Sequence, residues 1–145
     1  MKTYQTLLAI LVFLAFAGCK DPETKAFSQV AGTFGLTIPD EPHCFVLLPI
    51  GSCTMCVKQA WDVLESDTHP TSSITVIDAY RNGKDPFRTA VSHPVYIDSV
   101  FAVENSPIMF TNPTVVHTEK GKVKAIVSTP TNKVKETLQK ELDSQ

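Results

Sequence analysis

Two cysteines separated by two residues, Cys53 and Cys56, carry the clearest chemistry in this chain. They stand where an apolar run, Phe45-Val-Leu-Leu48, passes through Pro49-Ile-Gly-Ser52 into a pattern with Val57, Ala60, Trp61 and Leu64 on one helical face. A strand-to-helix junction of this kind presents the first sulfur at the helix N-terminus, where unpaired backbone N–H groups favour a thiolate. The second sulfur then lies one turn deeper. Such a pair suits reversible disulfide exchange. Cys53 attacks or is attacked, a mixed disulfide with a partner forms, and Cys56 resolves it. The same spacing also serves zinc half-sites and inert structural disulfides. Ser52 is expected as the N-cap, and Lys58, one turn on, either supports the thiolate or is simply a solvated helix residue.

The ends of the chain say where this chemistry takes place. A basic start at Lys2 and an unbroken apolar run over residues 7–17 read as a signal peptide, since the run is too short to span a bilayer comfortably. Phe16-Ala-Gly-Cys19 resembles the lipobox of bacterial lipoproteins, which implies a signal peptide over 1–18 and lipid on Cys19; an ordinary secretory signal cleaved near Ala17, or a buried apolar helix, are the plainer alternatives. Lys20-Asp-Pro-Glu23 resembles the surface-export signal of Bacteroidota lipoproteins. The chain is thus expected in the cell envelope, held to a membrane through Cys19, in a compartment where disulfides persist. The formal charge of −2 argues against nucleic-acid binding, and losing 1–18 removes one lysine and no acid.

The remaining length fits one domain, residues 43–145, behind a lipid-anchored tether at 19–42 that carries Pro22, Pro39 and Pro42. Within the tether, Ala26, Phe27, Val30 and Phe34 recur at helical spacing and predict a short helix that docks on the domain, with plain disorder as the alternative. The run at 44–48 predicts a central strand buried on both faces, and the β-branched run at 74–80 a second strand. With the intervening helix they form a right-handed βαβ unit. Asp85-Pro86 predicts a helix to Val91, residues 94–97 a brief strand, and Asp98 the cap of a helical turn to Val103. Residues 114–118 and 122–127 predict an antiparallel hairpin, and residues 132–142 a final amphipathic helix.

A βαβ unit with CxxC at its first turn, followed by Asn112-Pro113-Thr114, a hairpin and a closing helix, resembles the thioredoxin superfamily over almost all of residues 43–142. The resemblance implies an α/β thioredoxin-like fold, a mixed central sheet flanked by helices, with a strand-helix insertion before a cis-proline. It places Pro113 as that cis-proline, facing the sulfur pair, with Asn112, Pro113 and Thr114 as the substrate-binding segment. Pro94-Val-Tyr-Ile-Asp98, Phe101, Asn105, Gly121-Lys-Val123 and Thr129-Pro-Thr-Asn132 narrow the resemblance to extracytoplasmic, redoxin-type lipoproteins of Bacteroidota. Two departures stand out. Leu47 is where thioredoxin proper has a buried acid that manages the proton of the second sulfur, and Thr54-Met55 replaces Gly-Pro.

The resulting expectation is a thiol-disulfide oxidoreductase with Cys53 and Cys56 catalytic, no cofactor and no metal, exchanging with a thiol or disulfide of an envelope protein. Its direction is open, because about 30 mV of potential corresponds to only about 1.4 kcal/mol. A non-catalytic binding or structural lipoprotein with a stable disulfide is the alternative. A further one is a metal-handling module in which His43, His93 or His117, aided by Met55, join the two sulfurs. Cys44 is expected as a small buried hydrophobe rather than a third redox partner.

Overall fold

The computed structural model describes residues 21–144. The expected signal peptide and the lipidation residue Cys19 lie outside the described residues, as does Lys20. Among the described residues, no helix is long and apolar enough to cross a membrane.

Five strands form one mixed sheet in the order β3-β2-β1-β4-β5. They are β1 (His43–Leu48), β2 (Ile74–Asp78), β3 (Val95–Ile97), β4 (Thr114–Glu119) and β5 (Lys122–Ser128). β2 runs parallel to both β1 and β3, whereas β4 is antiparallel to β1 and to β5. The helices are α1 (Pro22–Thr33), α2 (Thr54–Ser66) and α3 (Val134–Asp143). α2 and α3 cover one face of the sheet, burying Val57, Trp61 and Leu64 with Val134, Leu138 and Leu142 against Val46, Leu48 and Val76. The other face carries α1, with Phe27, Val30 and Ala31 against Phe45, Leu47, Val116 and Val123. β1 is therefore buried on both faces because alternate side chains feed two cores.

α1 is the short docked helix that the spacing of Ala26, Phe27, Val30 and Phe34 predicts. Asp21 caps the helix by accepting the Thr24 backbone N–H at 2.7 Å, and Pro22 occupies the first turn, where its missing N–H costs nothing. That bond holds the Asp21 carboxyl below the usual carboxylate range. The Thr24 hydroxyl in turn accepts the Val123 N–H of β5 at 2.9 Å, which satisfies a donor on an edge strand. After α1, the Asp40 and Pro39 carbonyls accept N–H groups of Lys120 and Gly121 at the hairpin tip. The apolar stripe at 26, 27, 30 and 34 thus packs against the sheet, as expected of a docked helix.

Two expected helices are absent, and both losses have a local cause. Asp85 does not cap a helix: one oxygen accepts the Phe87 N–H at 2.8 Å in a tight turn, and the other accepts the indole N–H of the fully buried Trp61 at 2.6 Å. Asp98 is buried and accepts three N–H groups, from Val100, Ala102 and Val103, so it organises a loop. Phe101 in that loop has φ 62°, a left-handed conformation that a right-handed helix excludes. The segment before Pro113 therefore holds the short strand β3 without a helix.

Candidate functional site at the start of α2

β1 ends at Leu48, the chain turns with the Ser52 N–H on the Pro49 carbonyl, and α2 begins with the two cysteines bonded as a disulfide. Cys53, not Ser52, is the N-cap. Its backbone is extended (φ −65°, ψ 143°), and its Sγ accepts the Cys56 backbone N–H at 3.0 Å. Ser52 is buried, with no partner for its hydroxyl. The cap moves by one residue because a sulfur at the N-terminus can take the orphan donor that a serine oxygen would otherwise take. Cys53 is half-buried and Cys56 is 1 % exposed, which makes the first sulfur the one a partner can reach. Cys56 Sγ lies 4.0 Å from the Thr131 carbonyl, an acceptor aimed at the inner sulfur from the loop after β5.

The remaining polar groups at this end come from β2 and the turn after it. The buried Tyr80 hydroxyl lies 3.1 Å from Thr54 Oγ1, tying the residue between the cysteines to the sheet. Asp78, the last residue of β2, is fully buried; it accepts hydrogen bonds from the Arg88 Nε at 2.9 Å, from the Arg88 Nη2, and from the Tyr80 N–H at 3.1 Å. Burial pushes the Asp78 carboxyl above its ordinary range, the Arg88 guanidinium opposes this, and neighbouring Asp85 adds to it.

Side-chain parity corrects the reading of Leu47. Cys44, Val46 and Leu48 face the core that contains Cys56, whereas Leu47 packs against α1 on the opposite face. An acid at position 47 would point away from the sulfurs. Asp78 is the parallel-register partner of Leu48 and shares the parity of Ile74 and Val76, so the buried acid on the disulfide's face comes from β2. The signal was present in the sequence as a lone charge closing a β-branched run.

Thr114 is paired with Leu47, which places Asn112, Pro113 and Thr114 at the end of the sheet from which the disulfide turn departs. Pro113 is not a cis-proline, because the described chain contains no cis peptide bond. It stands instead just before the first residue of β4, a position where a missing N–H breaks no ladder bond, while its carbonyl accepts the Thr129 N–H at 2.9 Å. The Asn112 carbonyl is occupied by the Thr114 hydroxyl at 2.8 Å. Next to the disulfide turn, a cleft of about 230 Å³ runs between Pro49, Ile50 and Gly51 on one side and Val103, Met109 and Phe110 on the other. Met109, 86 % exposed, lines this cleft, and Met55, 58 % exposed, stands between the two cysteines.

Comparison with protein-family models, curated proteins and solved structures returned no match for this chain. Lys58 is paired with Asp62 at 3.3 Å on the exposed side of α2, as a solvated helix residue would be. The three histidines offered as metal ligands do not converge on the disulfide. His43 Nδ1 lies 3.1 Å from the Ser72 carbonyl, His93 Nε2 is buried 2.9 Å from Asp67, and His117 is engaged between Cys44 and Glu141. Among the described residues, no group of three or more histidine, cysteine or acidic side chains could hold a metal ion.

Proposed function

We propose that this chain is a thioredoxin-like thiol-disulfide oxidoreductase of the cell envelope, anchored by lipid on Cys19, in which Cys53 exchanges with partner thiols and Cys56 resolves. The observation that carries the proposal is the asymmetry of the pair: a half-exposed Cys53 as N-cap of α2, its sulfur accepting the Cys56 N–H, beside a buried Cys56. A partner thiolate attacks Cys53 Sγ; the S–S bond breaks and Cys56 leaves as a thiolate. A second partner thiolate then attacks the partner sulfur of the mixed disulfide and releases Cys53 reduced; in the reverse direction the Cys53 thiolate attacks a partner disulfide, and Cys56 resolves the mixed disulfide by attacking Cys53 Sγ and expelling the partner thiolate. The leaving thiolates are stabilised by the helix N-terminus. The mixed sheet with its βαβ start supports the thioredoxin-like reading, and Asp78 is the buried acid on the same face of the sheet as the inner sulfur. The cleft beside Gly51, lined by Met109 and Phe110, fits an apolar side chain flanking the client cysteine.

A resolving-cysteine variant tests this step. Cys56→Ser, incubated with glutathione disulfide, is expected to accumulate one glutathione on Cys53, read by site-resolved mass spectrometry, because no thiol remains to expel it. A Cys53 that stays unmodified at millimolar reagent sinks the exchange reading and leaves a locked-disulfide binding module.

A further inference from the structure

Cys44 lies at the opposite end of β1 from the disulfide turn, about 13 Å from Leu48 along the strand. Its antiparallel partner on β4 is His117, so the two side chains share the sheet face covered by α3. Cys44 Sγ lies 3.2 Å from His117 Nδ1, and His117 Nε2 lies 2.9 Å from Glu141 Oε2 on the last turns of α3. A carboxylate only accepts, so Nε2 carries the hydrogen, and Nδ1 presents its lone pair to the Cys44 thiol. Nucleophile, base and a third group that orients the base are thus in line, drawn from three elements. A cavity of about 250 Å³ adjoins them, bounded also by Pro42, Lys124 and Ser144. It is large enough for a small molecule and too small for a folded partner.

We propose that Cys44 is a second, histidine-activated thiol that is oxidised by hydrogen peroxide independently of the Cys53–Cys56 pair. His117 takes the thiol proton, and the Cys44 thiolate attacks one peroxide oxygen. The O–O bond breaks, sulfur gives up two electrons, and the leaving hydroxide receives the proton from His117 Nδ1. Cys44–SH and H₂O₂ thus become Cys44–SOH and water. The sulfur is fully buried, while the His117 and Glu141 side chains are 19 % and 17 % exposed. The cavity that Cys44 and His117 line is bounded at its edge by Ser144, the residue that ends α3, and this is the route by which a small reagent reaches the sulfur.

The test uses the protein with its disulfide intact, hydrogen peroxide as the probe, and dimedone trapping read at Cys44 by site-resolved mass spectrometry. Native Cys44 is expected to react about tenfold faster than the same residue in the urea-unfolded chain at pH 7, reflecting its greater thiolate character. His117→Gln is expected to remove that advantage. Glu141→Gln should slow the reaction and move its rise to higher pH, with His43, Glu119 and Lys124 as the other ionisable groups around the cavity in both proteins. A native rate at or below the unfolded rate makes Cys44 an inert core residue, and a fast rate unchanged by His117→Gln removes the base; either result overturns the proposal. If His117→Gln does not fold, the native-to-unfolded comparison decides alone.

Discussion

Phe27→Ala is expected to destabilise the domain by about 3–5 kcal/mol, a large part of the roughly 5–15 kcal/mol that holds a domain of this size together. Phe27 is fully buried and meets Phe45 edge-on, with ring centroids 5.0 Å apart and planes at 65°. Truncation to alanine leaves a cavity between α1 and β1 that the rigid strand cannot fill. Chemical denaturation should show a lower midpoint with an unchanged slope. A chain starting at residue 43 should expose the apolar face around Phe45, Leu47 and Val116 and bind a hydrophobic dye. A loss below about 1 kcal/mol would mean that the docking of α1 adds little to the stability of the fold.

Arg88→Met is expected to cost about 3–5 kcal/mol at neutral pH, because it strands Asp78 as a buried charge without a counter-ion. The sign of its pH dependence follows from the raised Asp78 carboxyl. A group whose folded pKa lies above its unfolded value contributes its full stability below the unfolded pKa and loses it as pH rises through the folded one. Removing the guanidinium raises that carboxyl further. The deficit of Arg88→Met should therefore shrink as pH falls from the variant's further-raised Asp78 pKa to the wild-type one, both above the ordinary carboxylate value, and stay level below that. Adding Asp78→Asn to Arg88→Met should recover much of the neutral-pH loss. A deficit that does not change with pH would place the role of Arg88 in packing alone.

Long-range order was legible wherever one periodicity held over a whole element. The continuous run of β1, the stripe Val57-Ala60-Trp61-Leu64 and the spaced apolar residues of α1 all found their expected cores, since burial on both faces or on one leaves different patterns. Short-range signals were ambiguous. Asp85-Pro86 and Asp98 both look like helix starts, yet a carboxylate that can cap a helix can also close a tight turn or hold a buried indole. What lay beyond the sequence was strand pairing. Without the register of β1, β2 and β4 nothing shows that Leu47 faces away from Cys56, that Asp78 faces the same side, or that His117 lies opposite Cys44. Pro113 reached its expected place at the head of β4 but not its expected isomer. The strand-to-helix turn that carries Cys53 and Cys56 was legible, although the cap proved to be the cysteine.

The central claim is that Cys53 and Cys56 form a reversible couple, and a redox titration tests it most directly. The protein is equilibrated in glutathione buffers of graded potential, and the thiols of Cys53 and Cys56 are counted by alkylation and mass. The account predicts a single two-electron transition, tenfold in the ratio of reduced to oxidised protein per about 30 mV, at a potential above the roughly −300 mV below which structural disulfides lie. A pair that stays oxidised across the whole series, with Cys53→Ser altering only thermal stability, would contradict it.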